Sequence, residues 1–127
     1  MSEPVELRVR ISEFRKIYPT VTGDPTLAVE KTSFGLNYGE CFAMLGINGS
    51  GKSTTFKCLT NECQPTSGQL TINGLDVNDD FSKVRKLIGY CAQYDSIFDW
   101  LSVEEHLYFY ARIKGIPKEL RKELIEH

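Results

Sequence analysis

A short stretch near the middle of the chain restricts its possible folds more than any other feature. Residues 46 to 53 read Gly-Ile-Asn-Gly-Ser-Gly-Lys-Ser, and Thr54 follows. Two glycines and a Lys-Ser pair at this spacing are typical of a loop whose backbone N–H groups surround a phosphate chain. In such a loop the lysine reaches the outer phosphates and the hydroxyl beside it binds Mg²⁺. The stretch therefore predicts a phosphate-binding loop.

The segments on either side agree with this interpretation. Cys41 to Leu45 is a short apolar run and predicts a buried strand that ends at the loop. Lys52 to Glu62 predicts a helix, with Phe56, Leu59 and Cys63 spaced to face inward. A helix N-terminus adds oriented N–H groups and partial positive charge to a phosphate site. The alternative, a flexible glycine turn, does not require Gly-Lys-Ser at its far end.

Composition narrows the class of protein. The 127 residues suffice for one modest domain or part of one, and the 41% hydrophobic and 25% charged residues are typical of a soluble globular protein. The net charge of −2, without a basic block, argues against nucleic acid as a partner. The apolar runs are far shorter than the roughly twenty residues that span a bilayer, so we expect this segment itself to be soluble.

The cysteines and the N-terminus indicate a reducing compartment. Met1 to Pro4 lacks the basic and apolar pattern of a signal peptide. The four cysteines show neither a C-x-x-C pair nor a histidine at zinc-ligand spacing. Cys41 and Cys91 fall in predicted buried strands, where a free thiol behaves as a small apolar group. We therefore expect a reduced, cytosolic protein segment.

Other strands are predicted from alternation and turn residues. Val5 to Ile11 alternates apolar and polar side chains and predicts a half-buried strand in an antiparallel pair. Leu27 to Leu36 is a second extended segment, and Asn37 to Glu40 predicts a turn after it. Gln69 to Ile72 predicts a strand that ends at the tight turn Asn73-Gly74.

The last part of the chain is predicted to be mainly helical. Asp79 to Lys86 predicts a short helix, and Leu87 to Ala92 a further apolar strand. Ser102 and Glu105 fit a capping box, so a helix should begin there and end at Gly115. Its inward-facing side chains are expected to be Leu107, Tyr110 and Ala111. Lys118 to Glu126 predicts another helix.

Taken together, these motifs resemble the nucleotide-binding domains of ATP-binding-cassette (ABC) transporters, and most nearly the A subfamily, which exports lipids. The resemblance covers most of the chain. Its sequence motifs are Lys16 to Pro19, Gly46 to Thr55, Pro65 to Gly68, Ile72 to Gly74, Ile88 to Gln93, Phe98-Asp99, Leu101 to Leu107 and Phe109 to Gly115.

The resemblance implies a role for each site residue. The nucleotide-binding residues would be Tyr18, Gly46, Ile47, Asn48, Gly49, Ser50, Gly51, Lys52, Ser53 and Thr54. Lys52 would counter phosphate charge and assist catalysis, and Tyr18 would stack on adenine. Ser53 and Gln93 would hold Mg²⁺, and Gln93 would also position the attacking water.

Some of these residues also have plainer interpretations. Tyr18 could be an aromatic that packs at a strand end beside a proline. Gln93 could be a solvated loop residue. The apolar side chains in Asp95 to Leu101 could belong to the core, whereas the resemblance implies an exposed surface that receives a helix of the membrane domain.

The sequence departs from the family pattern at three positions. Ala92 stands where a proline usually precedes the glutamine, Ser50 replaces a common alanine, and Tyr94 replaces a histidine common in the A subfamily. The alanine before Gln93 predicts a more flexible loop there. Tyr94 departs from the pattern of the A subfamily.

Several family motifs have no counterpart in these residues. The signature Leu-Ser-Gly-Gly-Gln, the Walker B strand with its catalytic glutamate, and the switch histidine would all come after His127. Asp76 and Asp99 lack a preceding apolar run, His106 falls within a helix, and Glu104 and Glu105 serve the helix cap. We therefore expect no catalytic base in this chain.

The resulting prediction is an α/β fold: a P-loop NTPase core, an antiparallel β-subdomain and the start of a helical subdomain. Residues 1–127 would be the N-terminal part of one nucleotide-binding domain, binding ATP and Mg²⁺ with little or no hydrolysis. In the full protein, hydrolysis would power transport, with lipid as the implied cargo. The implied partners are membrane domains and a second nucleotide-binding domain, at the cytosolic face of a membrane.

Two alternatives remain open: a soluble ABC-class ATPase, and a nucleotide-binding module that never hydrolyses. A GTPase should carry Asn-Lys-x-Asp for guanine, and this sequence does not.

Overall fold

The computed structural model of the chain describes residues 8–126. Contacts divide the chain into two compact units, Met1–Gly89 and Tyr90–His127. The predicted positions of Val5 and Leu7 in the first strand lie outside the described residues.

A four-stranded antiparallel sheet forms the centre of the first unit. Its strands are β1 (Val9–Tyr18), β2 (Thr26–Leu36), β3 (Ser67–Ile72) and β4 (Leu75–Asp76), in the order β2-β1-β3-β4. β1 pairs with both β2 and β3. Asn73 and Gly74 have φ angles of 52° and 73° and form the tight β3–β4 turn. The predicted antiparallel pairing and Asn-Gly turn are confirmed.

A bulge in β1 changes which face of the strand is buried. Ile11 and Phe14 are three positions apart, yet both are almost completely buried. Strict alternation would place them on opposite faces of the sheet. Glu13 lies between them with a φ angle of 54°, and the register with β2 shifts there. The extra residue shifts the alternation of side chains between the two faces by one position. Beyond this bulge, β1 continues well past the predicted end at Ile11.

Two helices complete the first unit: α1 (Lys52–Leu59) and α2 (Phe81–Leu87). Their buried side chains Cys58 and Val84 join the core formed with the sheet. The remaining members of the core cluster are Ile11, Phe14, Leu70, Ile72 and Val77. The prediction that Phe56 faces inward is wrong, because this side chain is 47% exposed and Cys58 takes the buried position. Leu59 and Cys63 pack against the core as predicted.

The two predicted core strands are not formed. Within residues 8–126, Cys41–Leu45 enters no ladder, and its Leu45 side chain is 90% exposed. Leu87 ends α2, and residues 88–92 also pair with no described strand. An interior strand needs hydrogen-bonding neighbours, and none of the described residues supplies one here. The predicted burial of Cys41 and Cys91 is therefore wrong as well, since both are exposed.

The second unit contains α3 (Val103–Ile113) and α4 (Lys118–Glu126). The capping box at the start of α3 is confirmed: Glu105 N–H donates to Ser102 Oγ, and the Glu105 carboxylate accepts from Ser102 N–H at 2.8 Å. Of the predicted inward side chains, Ala111 is buried, whereas Leu107 and Tyr110 are more than 40% exposed. No helix in residues 8–126 is both long and apolar enough to cross a membrane.

Candidate functional site

The phosphate-loop motif leads directly into α1. Gly51 precedes the helix in the left-handed conformation, with a φ angle of 89°. No side chain caps the helix N-terminus, and no acidic residue lies in its first turn. The first N–H groups of α1 therefore keep both their donor capacity and the partial positive charge of the helix end. Such an end favours an anion.

The Lys52 side chain folds back onto the phosphate loop. Its ammonium donates to the carbonyl oxygens of Gly46 at 2.6 Å and Ile47 at 2.8 Å, and to Ser50 Oγ at 3.2 Å. Ser50 N–H also donates to the Ile47 carbonyl at 3.2 Å. These bonds hold one positive charge inside the curve of the loop, where a phosphate chain would meet it.

Close packing restricts two of the loop glycines. A Cβ on Gly51 would stand 2.7 Å from the Ala28 carbonyl oxygen and 2.7 Å from Val29 Cγ2. On Gly46 it would stand 2.5 Å from Ser50 Oγ. At Gly51 the close atom is a backbone carbonyl oxygen and φ is 89°, so the loop path depends on glycine there. At Gly46 the close atom is the Ser50 hydroxyl, which would have to rotate away. A groove of about 480 Å³ runs between β2 and this part of the loop.

Thr55 stabilises the phosphate loop at Gly51, and the sequence had not predicted a role for this residue. It is 3% exposed, and both its N–H and its hydroxyl donate to the Gly51 carbonyl at 2.9 Å. A threonine four residues after a helix N-cap is the available sequence signal, because its hydroxyl can reach the carbonyl of residue i−4.

Tyr18 lies at the end of β1, half-buried beside the start of α1. Its hydroxyl is 3.6 Å from Cys63 Sγ, and the Lys16 ammonium lies 4.9 Å from the centre of its ring. Burial raises the pKa of Tyr18, the Cys63 hydrogen bond adds to this rise, and a Thr54 hydrogen bond opposes it. The structure therefore brings Tyr18 and Thr54 together, and it adds Lys16 and Cys63 as neighbours.

The remaining predicted loop residues are accessible to solvent. Ser53 is exposed at the first turn of α1, and Asn48 and Gly49 are exposed at the loop tip. Ile47 is 84% exposed, so its side chain contributes little packing. At the loop tip, Ile47, Asn48 and Gly49 offer a ligand backbone groups, whereas Ser53 also offers its hydroxyl.

Gln93 belongs to the second unit and is exposed in the segment before α3. The following side chains Ile97 and Trp100 are 66% and 79% exposed. The interpretation of this segment as core packing is therefore wrong, and it forms an exposed apolar surface.

His106 holds this segment against α3. Its Nε2 accepts from Phe98 N–H at 2.8 Å, and its Nδ1 lies 2.9 Å from the Ser102 carbonyl oxygen, to which it donates in the matching tautomer. The imidazole also stacks on the Phe98 ring at 6.0 Å. Because both ring nitrogens are used in structural hydrogen bonds, His106 is not available as a general base.

Comparison with known proteins identifies the family. The family model described as ABC transporter matches residues 29–127. The chain belongs to the ABC transporter family. It carries part of an ATP-binding domain, and the predicted α/β fold class is confirmed.

Two curated relatives of this ABC transporter segment are phospholipid-transporting ATPases. The Homo sapiens retinal-specific phospholipid-transporting ATPase ABCA4 is 45% identical over 111 residues, 87% of this chain. The Mus musculus phospholipid-transporting ATPase ABCA3 is 43% identical over 117 residues, 92% of this chain. The chain spans only 5% and 7% of these two relatives.

Solved structures show the same architecture. An ATP-binding subunit of an ABC transporter superimposes with a TM-score of 0.73 and 26% identity, over 87% of this chain and 44% of the other. The dimeric ATP-binding cassette MJ0796, in a post-hydrolysis state with ADP and Pi, superimposes with a TM-score of 0.76 and 23% identity. The match covers 92% of this chain and 53% of the other. This ABC segment therefore has the fold of about half of such a cassette.

Proposed function

We propose that this chain holds the triphosphate, the adenine and part of the Mg²⁺ environment of an ABC transporter's ATP site. The observation that carries the proposal is the loop of residues 46–53, whose glycine-dependent path ends at an uncapped helix N-terminus with Lys52 folded across it. The chemistry of these groups fits a polyanion, because N–H donors and an ammonium converge at a helix end whose first turn carries no acidic residue.

Within this proposal each residue has a separate task. The backbone N–H groups of Gly49 and Gly51 cradle the phosphates, and Lys52 exchanges its loop carbonyl partners for phosphate oxygens. Tyr18 offers a ring face to adenine. Ser53, exposed at the helix start, supplies a hydroxyl to the metal ion. Mg²⁺, when bound, neutralises charge on the outer phosphates.

Gln93 has a role in the same proposal. Its amide oxygen completes the metal environment and orients the attacking water, after the pattern of the family. None of the described residues is assigned as the catalytic base, since His106 and Glu105 are used in local structure. The chain alone is therefore expected to bind MgATP with little or no hydrolysis.

The larger protein is proposed to use ATP hydrolysis for transmembrane transport of a lipid. The support is its similarity to two phospholipid-transporting ATPases. The exposed apolar segment that contains Ile97, Phe98 and Trp100 would receive a helix of the membrane domains. A second nucleotide-binding domain would complete the site, and the assembly would place this segment at the cytosolic face of a membrane.

Calorimetric titration of the chain with MgATP tests the nucleotide site. Lys52→Ala removes the charge inside the loop and should weaken binding at least about tenfold, as expected for lost charge-assisted hydrogen bonds. Lys57→Ala is the matched control, because it makes the same charge change in the last turn of the same helix. It should bind like the original chain.

Three results would contradict the proposal. One is a chain that shows its helical circular dichroism but binds no MgATP. Another is equal affinity in Lys52→Ala and Lys57→Ala. Rapid ATP hydrolysis that depends on Lys52 would contradict the expectation that this chain has no catalytic base of its own.

A further inference from the structure

Two thiols meet directly behind the proposed adenine position. Cys58 Sγ, in α1, lies 3.4 Å from Cys63 Sγ, in the turn that follows the helix. The turn folds back on α1 because Asn61 takes a left-handed conformation and Cys63 N–H donates to the Lys57 carbonyl at 3.3 Å. The backbone therefore holds the two sulfur atoms in contact.

The second sulfur also touches the nucleotide site. Cys63 Sγ is 3.6 Å from the Tyr18 hydroxyl, so Cys58, Cys63 and Tyr18 form one continuous chain of contacts. We propose that Cys58 and Cys63 form a reversible intramolecular disulfide, and that its formation weakens nucleotide binding by withdrawing Cys63 from Tyr18. The effect on nucleotide rests on the function proposed above, whereas the disulfide does not.

A disulfide joins its sulfur atoms at about 2.0 Å. Cys58 Sγ and Cys63 Sγ, which are 3.4 Å apart, must therefore approach by about 1.4 Å to form the bond. In a reducing compartment such a bond is transient and belongs to redox sensing rather than to folding. Cys41 and Cys91 are both exposed, so the tests replace them with serine to leave Cys58 and Cys63 as the thiols under study.

The order of reaction follows from burial. Cys58 is completely buried, and burial, aided by the hydrogen bond with Cys63, raises its pKa to about 12. Cys63 is partly accessible and reacts first. With hydrogen peroxide as oxidant, the Cys63 thiolate attacks one peroxide oxygen, the O–O bond breaks, and sulfenic acid and water form. The Cys58 sulfur then attacks the Cys63 sulfur and releases a second water.

Hydrogen peroxide alone accounts for all the electrons and atoms in this oxidation. Two thiols give up two electrons and two protons, and one peroxide becomes two waters. A dithiol reductant reverses the change by thiol–disulfide exchange. In the oxidised form Cys63 has moved towards Cys58, so the Tyr18 hydroxyl loses its contact with Cys63 and keeps only the hydrogen bond with Thr54. Loss of one hydrogen bond that positions the ring should weaken MgATP binding about threefold to tenfold.

Peptide mass provides the first test. The chain with Cys41→Ser and Cys91→Ser is treated with hydrogen peroxide, its free thiols are alkylated, and it is digested with trypsin. No lysine or arginine lies between Cys58 and Cys63, so one peptide carries both. The expected product lacks two hydrogens, takes up no alkylating agent, and returns to the dithiol form with dithiothreitol. Two free thiols, or sulfinic acid at Cys63 beside a free Cys58, would overturn the proposal.

MgATP titration before and after oxidation provides the second test. Affinity should fall in the Cys41→Ser/Cys91→Ser background and recover on reduction. A further Cys63→Ser substitution, or Tyr18→Phe, should make affinity insensitive to peroxide. A disulfide that forms without changing affinity would overturn the link to Tyr18. If the reduced chain binds no nucleotide, the proposed function fails and this link fails with it, while the peptide mass still decides the disulfide.

Discussion

Gly51 lies against β2 so closely that a Cβ at its position would stand 2.7 Å from the Ala28 carbonyl oxygen. This contact joins the start of α1 to the edge of the sheet, and backbone atoms on both sides make it hard to relax. The phosphate loop is therefore held by its tertiary surroundings as well as by its own hydrogen bonds.

Replacing Gly51 tests how much this contact matters. Gly51→Ala adds a backbone clash to the strain of a φ angle of 89°, and should lower the free energy of unfolding by about 2 to 4 kcal/mol. Gly49→Ala is the matched control, with a φ angle of 84° and open space around its Cβ. It should cost only about 1 kcal/mol. Urea denaturation followed by circular dichroism measures both, and equal losses would show that the contact with β2 is unimportant.

Tyr18 should contribute to nucleotide affinity through its ring. Stacking of a base on an aromatic side chain is worth about 1–3 kcal/mol, so Tyr18→Leu should weaken MgATP binding by about tenfold or more. Tyr18→Phe keeps the ring but loses the hydroxyl's contact with Cys63, so it should weaken binding less than Tyr18→Leu, by about threefold. Inorganic triphosphate has no base and should bind equally to all three proteins. An equal loss for triphosphate and ATP in Tyr18→Leu would argue for a structural role instead.

His106 should control the order of the segment before α3. His106→Ala removes the acceptor of the Phe98 N–H, and should speed hydrogen exchange of that amide by about tenfold. Tyr110→Phe removes the separate hydrogen bond to the Ser96 carbonyl and leaves the Phe98 partner intact. The Phe98 amide should therefore exchange at its original rate in this control. Protection unchanged in His106→Ala would refute the role assigned to the imidazole.

The capping box should make α3 sensitive to acid. Hydrogen bonds from Ser102 N–H and Oγ hold the pKa of Glu105 below its ordinary 4.5. Because the folded value is the lower one, the stabilisation is complete above about pH 4.5 and is lost as pH falls through the folded pKa. The thermal midpoint should therefore exceed that of Glu105→Ala at neutral pH, with the gap closing in acid. A constant gap would contradict the assignment. Ser102→Ala should cost about 1 kcal/mol at neutral pH.

Features that depend on neighbouring residues were predicted well. The capping box at Ser102, the Asn73-Gly74 turn and the helix after Lys52 all follow from side-chain chemistry within a few positions. The phosphate and metal roles of Lys52 and Ser53 came from the loop motif, those of Tyr18 and Gln93 came from the family resemblance, and all of them stay predictions. Cys63 was placed correctly near the core, but its contact with Tyr18 joins two distant segments that no local pattern connects.

The apolar run Cys41–Leu45 shows the opposite case. Its composition predicts an interior strand, yet in the described residues it has no ladder partner and Leu45 is exposed. The Phe42 ring stacks on the Phe34 ring, with their centres 5.0 Å apart. An apolar composition indicates that a segment could be buried. To form a strand, the segment also needs a neighbouring strand that forms hydrogen bonds with its backbone.

The sequence by itself determined the phosphate loop, its glycines and lysine, and the family to which they point, because this chemistry lies within a few consecutive residues. The tertiary structure decided three other things: the re-phasing of β1 at Glu13, the dependence of Gly51 on β2, and the thiol pair behind Tyr18. The first two arise where segments far apart in sequence come into contact, and the thiol pair lies behind Tyr18 through the contact of Cys63 with that distant residue. Such contacts are set by the packing of the whole unit, which no single stretch of sequence specifies.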